Sequence, residues 1–246
     1  MKISFFEEFP TKDNLQKLNL VKFPTTVYVA AKSFQEFERI RKLNSKKNVQ
    51  FAYWPVLKKE EGYWLSPFSS PKALERVLSE IKGKDVKIMW DAELPFRHPW
   101  LFLRLDHFFH NKPLIRKYFR KNGKNILTSE YPIKNKFAEL LMKMLEIYFS
   151  PKEYGNKKIV MYYTSMHKKL APHLLHNIAK MQKYGKNLQV GLGTIAKGIL
   201  GNEPILSAKN LEKHLQEMKK IGVEEIVIFR LGGLNEEYVK VLDKFI

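Results

Sequence analysis

Cysteine is absent from this sequence of 246 residues, and its absence excludes several kinds of site at once. The chain has no disulfide, no cysteine nucleophile and no thiolate ligand for zinc or an iron–sulfur cluster. No apolar run approaches the roughly 18 residues of a transmembrane helix. The short apolar stretch at the N-terminus is broken by Glu7 and Glu8 and is not typical of a signal peptide. We therefore expect a cytoplasmic protein with no membrane partner.

Acidic residues are scarce relative to basic ones: 25 Asp and Glu stand against 44 Lys and Arg, which gives a net charge of +19. Such a charge attracts anions, among them nucleic acid, acidic lipid and phosphorylated substrates. The excess is mostly lysine and is spread along the chain, as on the solvated Lys/Glu-rich surfaces of heat-adapted proteins. Nucleic acid is therefore less favoured as a partner than a small molecule or an oligosaccharide.

Short β-type runs alternate with helical patterns along the whole chain. The predicted strands span 2–9, 25–31, 49–56, 84–93, 125–130, 158–163, 188–193 and 225–229. The predicted helices span 11–20, 33–46, 71–81, 99–119, 135–149, 169–183, 207–221 and 235–245. Thr11 and Ser70 are the expected caps of the first and third helices, and Pro113 is expected to interrupt the fourth.

Eight strictly alternating β and α units predict an α/β protein with a parallel sheet. Eight such units in about 250 residues are typical of a (β/α)8 TIM barrel, which we expect as a single domain over residues 1–246. A doubly wound open sheet is the main alternative. It usually has a glycine-rich turn after the first strand, and Glu7, Glu8 and Pro10 occupy that position here.

Two carboxylates end the fourth predicted strand. Asp91 and Glu93 are two residues apart, so both point to the same face of a strand, and Pro95 then ends the run. The carboxyl end of the strands is where a barrel keeps its chemistry. Two carboxylates in one pocket can have their pKa values pushed apart, so that one serves as an acid while the other stays charged. The sequence thus predicts a site at Asp91 and Glu93.

Acidic and aromatic side chains also follow other predicted strands, on a chain that is otherwise strongly basic. Sugar rings stack on aromatic side chains, and carboxylates do the acid–base work of glycoside hydrolysis. Because alternation turns Trp90 away from Asp91, we expect Trp90 in the core. The expected substrate-binding residues are Glu7, Glu8, Trp54, Trp64, Glu130, Tyr131 and Arg230.

The strand-four residues Asp91, Glu93 and Pro95 resemble the Asp-x-Glu-x-Pro motif of family 18 glycoside hydrolases, the chitinase-like barrels. Met161-Tyr-Tyr163-Thr164 resembles that family's Met-x-Tyr-Asp on strand six. The resemblance implies that Glu93 is the general acid. It also implies that Asp91 orients a substrate acetamido group, whose carbonyl oxygen is the internal nucleophile, and that Tyr163 contacts that group. No cofactor and no metal is implied.

The sequence departs from this family at several positions. Met89 and Thr164 stand where the family has aspartates, and the family's Ser-x-Gly-Gly on strand three and its tryptophan on strand eight are missing. We therefore expect a distant glycoside-hydrolase-like barrel rather than a standard chitinase. A substrate without an acetamido group needs a second carboxylate, chosen from Glu7, Glu8 and Glu130. A separation from Glu93 of about 5 Å would indicate retention, and roughly 6.5–9.5 Å inversion.

Three alternatives stay open. A phosphate-binding barrel would use the loops after strands seven and eight, with Gly191, Gly193, Gly232, Gly233, Lys197 and Arg230. A metal-dependent hydrolase would use Asp91, Glu93, Glu130 and His167, although strands seven and eight supply no further ligand. His173 and His176 are expected at the surface. The third alternative is a barrel that binds its ligand without catalysis.

Overall fold

The computed structural model describes residues 1–44, 46–95, 98–133, 135–163, 165, 176, 178–199 and 201–246, with only the backbone at 182 and 183. Eight parallel strands close into a barrel in sequence order, and the last strand pairs with the first. They are β1 Lys2–Glu7, β2 Thr25–Ala31, β3 Val49–Pro55, β4 Ile88–Asp91, β5 Ile126–Glu130, β6 Lys157–Tyr162, β7 Leu188–Gly193 and β8 Glu225–Phe229. The predicted (β/α)8 TIM barrel is confirmed.

Helices follow the strands on the outside of the barrel. They are α1 Lys12–Gln16, α2 Phe34–Lys42, α3 Pro71–Ile81, α4 Leu105–Asn122, α5 Lys136–Met144, α6 Pro151–Tyr154, α7 Ala208–Lys220 and α8 Glu236–Leu242. A short 3-10 helix over Pro99–Leu103 precedes α4. Most of the helix predicted over 169–183 lies outside the described residues. Thr11 caps α1 as predicted, whereas Ser70 makes no side-chain cap bond to α3, which begins at Pro71.

Two helix predictions were wrong in detail. Pro113 does not interrupt α4, which runs through it, and the break lies instead at Arg104. Pro113 is exposed, so the carbonyl that loses its donor there faces water, which weakens the penalty of an internal proline. The helix predicted over 135–149 ends at Met144, because Glu146 has a positive φ of 51°, in the left-handed region that stops a right-handed helix.

The strands bury both of their faces, which gives the core two layers. The larger layer lies between barrel and helices and includes Ile3, Phe5, Tyr53, Trp90 and Phe119. The smaller layer fills the barrel interior, with the members Phe6, Tyr28, Ala30, Ala52, Trp54, Val56, Met89, Leu127, Ile159 and Val227. Because side chains alternate along a strand, any residue of the same strand that lies an even number of positions from one of these members also points inward. This rule decides which strand-end residues reach the mouth of the barrel.

Candidate active site

The mouth of the barrel, at the carboxyl ends of the strands, brings together the carboxylates of Glu8, Asp91 and Glu93. Met89 points into the barrel, so Asp91 at the end of β4 lies on the same side. Glu93 and Glu8 lie just beyond the ends of β4 and β1. Glu8 and Glu93 both act electrostatically on Asp91, and Glu8 acts on Glu93. The pair predicted from the sequence therefore lies in one site with a third acid.

Asp91 is the last residue of β4 and is buried. Burial raises its pKa well above the usual range, and the negative charges of Glu93 and Glu8 raise it further. The polar groups of the Ser129 and Trp64 side chains lower the pKa but do not offset this rise. Its Oδ1 atom makes no hydrogen bond within the described part of the chain. A buried carboxyl with a free oxygen is able to accept a hydrogen bond from a ligand.

Glu93 is half-buried beyond the end of β4. Its Oε2 accepts a hydrogen bond from the Tyr131 hydroxyl at 3.0 Å. The pKa of Glu93 is raised to about 7. Burial is the main cause and the charge of Glu8 adds to it, whereas the hydrogen bond from Tyr131 lowers the pKa. A carboxyl with such a pKa is protonated in a large fraction of molecules at neutral pH, as a general acid must be.

Glu8 is fixed by two hydrogen bonds from separate loops. The Tyr63 hydroxyl donates to its Oε1 at 2.7 Å, and the backbone N–H of Ile199 donates to its Oε2 at 3.0 Å. Burial raises the pKa of Glu8, while these two bonds favour its ionised form. Glu8 and Tyr63 also line a groove of about 830 Å³ that extends over the ends of β1, β2 and β3 as far as Lys32 and Lys59.

Aromatic rings enclose the carboxylates. The Tyr163 ring lies 5.8 Å from that of Phe229. Burial raises the pKa of Tyr163, and the charges of Asp91, Glu93 and Glu8 raise it further, so Tyr163 belongs to the same electrostatic cluster. The rings around them are Tyr63 with Trp64, which meet edge to face at 5.2 Å, and Trp54 with Phe6, at 5.6 Å. Phe229 was not among the site residues predicted from the sequence. It lies two positions after Val227, which points into the barrel, so alternation along β8 would have placed it at the mouth.

Three predicted site residues lie on the outer face of the barrel. Glu7 is adjacent to Glu8 and therefore points the opposite way, where its Oε1 pairs with Arg230 at 3.0 Å. Glu130 follows Ser129, the register partner of Asp91, and pairs with Lys158 at 2.7 Å. Glu7 also accepts from the N–H groups of Phe9 and Gly232, and Glu130 from that of Phe149. These contacts tie strands and loops together behind the mouth.

Trp90 lies on the same outer face, as predicted from alternation. Its ring packs against Phe119 and Tyr118 of α4, at 5.2 and 6.2 Å. Trp90 is fully buried there and has no exposure to the mouth. Its role is in the core.

The glycines at the end of β7 and after β8 allow close packing of the chain. A Cβ on Gly233 would lie 2.0 Å from the Ile195 carbonyl oxygen, and one on Gly193 2.9 Å from that of Phe229. The N–H of Gly232 donates to Glu7, and that of Thr194 to Ser165. These donors and Arg230 are thus engaged with the protein itself, which does not favour the phosphate-binding alternative.

No group of three or more histidines and carboxylates arranged to hold a metal ion is found among the described residues. Glu130 faces away from Asp91 and Glu93, so these three do not converge. His167 and His173 lie outside the described residues, and His176 is exposed. Thr164, the departure on strand six, also lies outside them.

Comparisons with known proteins show the same fold. No family model matches the sequence, and a search of curated proteins finds no match either. The chain is similar to the glycoside hydrolase domain of PgaB (BpsB) from Bordetella bronchiseptica, with a TM-score of 0.54 and 11% identity over 97% of this chain and 95% of that one. It is also similar to the catalytic domain of beta-amylase from Paenibacillus polymyxa, with a TM-score of 0.56 and 9% identity over 100% and 97%. The chain thus has a glycoside-hydrolase-like TIM barrel, and at these identities the likeness establishes the fold alone.

Proposed function

We propose that this barrel hydrolyses a glycosidic bond at its mouth, with Glu93 as the general acid. The observation that carries the proposal is the cluster of Glu8, Asp91 and Glu93 with Tyr163, in which Glu93 has a pKa of about 7. A protonated Glu93 donates its proton to the leaving glycosidic oxygen. Trp54 and Trp64 are buried, whereas the half-buried rings of Tyr63 and Phe229 offer apolar faces to a sugar ring.

Asp91 and Tyr163 position the substrate in this proposal. The resemblance on strands four and six gives Asp91 the task of holding an acetamido group, and its free Oδ1 is able to accept that group's N–H. The acetamido carbonyl oxygen then attacks the anomeric carbon as Glu93 protonates the leaving group. Met89 fills the barrel interior where the resembled family has a further aspartate, so Asp91 orients the group without that neighbour.

A substrate without an acetamido group needs a second carboxylate, and Glu8 fits that role best. Glu7 and Glu130 face away from the mouth and are held in ion pairs. Glu8 receives hydrogen bonds from Tyr63 and Ile199, which favour its ionised form, as a nucleophile or general base requires.

The test is a binding and hydrolysis experiment with N-acetylglucosamine oligomers, run beside other glycans, sugar phosphates and single-stranded DNA. We expect sugar binding that is insensitive to salt, and release of shorter products. Glu93→Gln should abolish hydrolysis while the oligomer still binds, and Asp91→Asn should weaken both. Asp85→Asn is the control, because Asp85 is an exposed acid in the loop before β4.

Two results would contradict the proposal. One is binding to phosphates or DNA alone, with the steep salt dependence of phosphate contacts. The other is hydrolysis that Glu93→Gln leaves at the wild-type rate. Sugar binding without hydrolysis in any variant would instead support the non-catalytic alternative.

A further inference from the structure

Large apolar side chains are exposed over one region on the outside of the barrel. Most exposed large hydrophobic residues among those described belong to residues 100–109 and to α5. We call this set the apolar patch, and its members are Trp100, Leu103, Leu105, Phe109, Phe137, Leu140, Leu141 and Met144. The exposed fractions of Trp100, Phe109 and Phe137 are 73%, 71% and 75%. A concentration of exposed apolar side chains of this kind is typical of an interaction site.

The apolar stripe of α5 turns outward. Phe137, Leu140, Leu141 and Met144 are spaced i, i+3, i+4 and i+7, the pattern by which a helix normally packs on a core. Yet no residue of α5 is buried. The apolar side chains of this stripe are therefore exposed on the outside of the protein.

Lys112 joins the α5 part of the patch to the α4 part. Its amino group donates to the Met144 carbonyl at 2.9 Å and lies 5.0 Å from the centre of the Phe108 ring. Arg116, one turn further along α4, pairs with Glu146 just beyond α5. The two exposed segments are thus neighbours and form one surface.

A cationic stripe continues from the patch along α4. Lys112, Arg116, Lys117, Arg120 and Lys121 line a shallow cavity of about 950 Å³ together with Phe108, Phe109 and Pro113. Lys117, Arg120 and Lys121 form no ion pair with another described residue, so their charge is available to a partner. Aromatic and aliphatic side chains therefore stand beside free cations on one face.

We propose that this face binds the surface of an anionic lipid bilayer, a partner that the sequence alone did not predict. Trp, Phe and Leu side chains enter the boundary between headgroups and acyl chains, and Lys and Arg contact anionic headgroups. A second copy of this chain would bring two cationic stripes together, and nucleic acid offers no apolar phase for the leucines. No helix among the described residues is long and apolar enough to cross a membrane, and contact with the bilayer surface requires none.

The full chain can be tested with vesicles of phosphatidylcholine alone and of phosphatidylcholine mixed with phosphatidylglycerol. We expect it to co-sediment with the mixed vesicles and not with the neutral ones. Of the four tryptophans, Trp54, Trp64 and Trp90 are buried and Trp100 is exposed, so a blue shift of tryptophan emission on binding reports Trp100. Trp100→Phe should abolish this shift.

Variants separate the patch from the overall positive charge. Phe109→Ser with Phe137→Ser should weaken vesicle binding at least about tenfold, because two aromatic side chains no longer insert. Lys117→Glu with Arg120→Glu should abolish it. The matched control for charge is Lys209→Glu with Lys213→Glu on α7, which makes the same change in net charge at exposed positions elsewhere.

Three outcomes would overturn the proposal. The first is no co-sedimentation with the anionic vesicles. The second is binding that the α7 control reduces as much as the α4 variant does, since that would show a non-specific effect of net charge. The third is a dimer in sedimentation equilibrium that the Phe109 and Phe137 double variant converts to a monomer, since the face would then be covered by a second copy. None of these measurements depends on the proposed hydrolytic activity.

Discussion

Removing the Tyr131 hydroxyl should raise the pKa of Glu93 beyond its value of about 7. Tyr131 donates to Glu93 at 3.0 Å and thereby favours the ionised carboxylate. A hydrogen bond to a charged group contributes roughly 1.5–3 kcal/mol, and 1.36 kcal/mol corresponds to about one pKa unit. Glu93 is half-buried, so solvent screening favours the lower end of that range. Tyr131→Phe should therefore move the titration midpoint upward by about one pH unit.

Glu8→Gln should have the opposite effect on the same group. The negative charge of Glu8 raises the pKa of Glu93, so its neutral replacement should lower the midpoint. We thus expect the two variants to shift the pKa of Glu93 in opposite directions. A general disturbance of the mouth would instead move both titration midpoints the same way, so the two results together distinguish the two causes.

The assay is a titration of the glutamate side-chain carboxyl resonances by carbon-13 NMR, with the Glu93 signal identified by its loss in Glu93→Gln. Tyr238→Phe serves as the control, because it removes a tyrosine hydroxyl that donates to the Leu206 carbonyl instead of a mouth acid. An unchanged or lower midpoint in Tyr131→Phe would refute the assigned hydrogen bond. The measurement needs no substrate, so it tests the site geometry separately from the proposed activity.

Three further predictions concern activity and stability. The rate of hydrolysis should fall as pH rises through about 7 in a pH–rate profile, because the protonated form of Glu93 is the acid. Glu93→Gln should lower that rate by about 10²-fold or more. Lys158→Met should cost about 3–5 kcal/mol of unfolding free energy in urea titrations, since it leaves Glu130 buried without its cation, and adding Glu130→Leu should restore much of the loss. Gly233→Ala should lower stability by about 1–3 kcal/mol, because its Cβ would lie 2.0 Å from the Ile195 carbonyl oxygen; an unchanged melting temperature would contradict that packing.

The fold could be predicted from the sequence because alternation of β and α units survives in the pattern of apolar runs. The faces of the strands could not be predicted as well. A barrel strand is buried on both sides, so its sequence is apolar throughout and does not show which residues point inward. Trp90 was placed correctly because it is adjacent to Asp91, which gave a reference. Glu7 and Glu130 lacked such a reference and were grouped with the mouth, although each is next to the residue that does point inward.

The partners of the acids now separate structural carboxylates from those available for chemistry. Glu7 and Glu130, behind the mouth, each pair with a cation and accept backbone N–H groups, so their oxygens are committed to the fold. Within the described part of the chain, Glu8 and Glu93 receive hydrogen bonds from neutral donors only, and Asp91 keeps an oxygen without a partner. A carboxyl that exchanges a proton during a reaction cannot be held ionised by a fixed cation. On that physical criterion Glu8, Asp91 and Glu93 fit the proposed chemistry, and Glu7 and Glu130 do not.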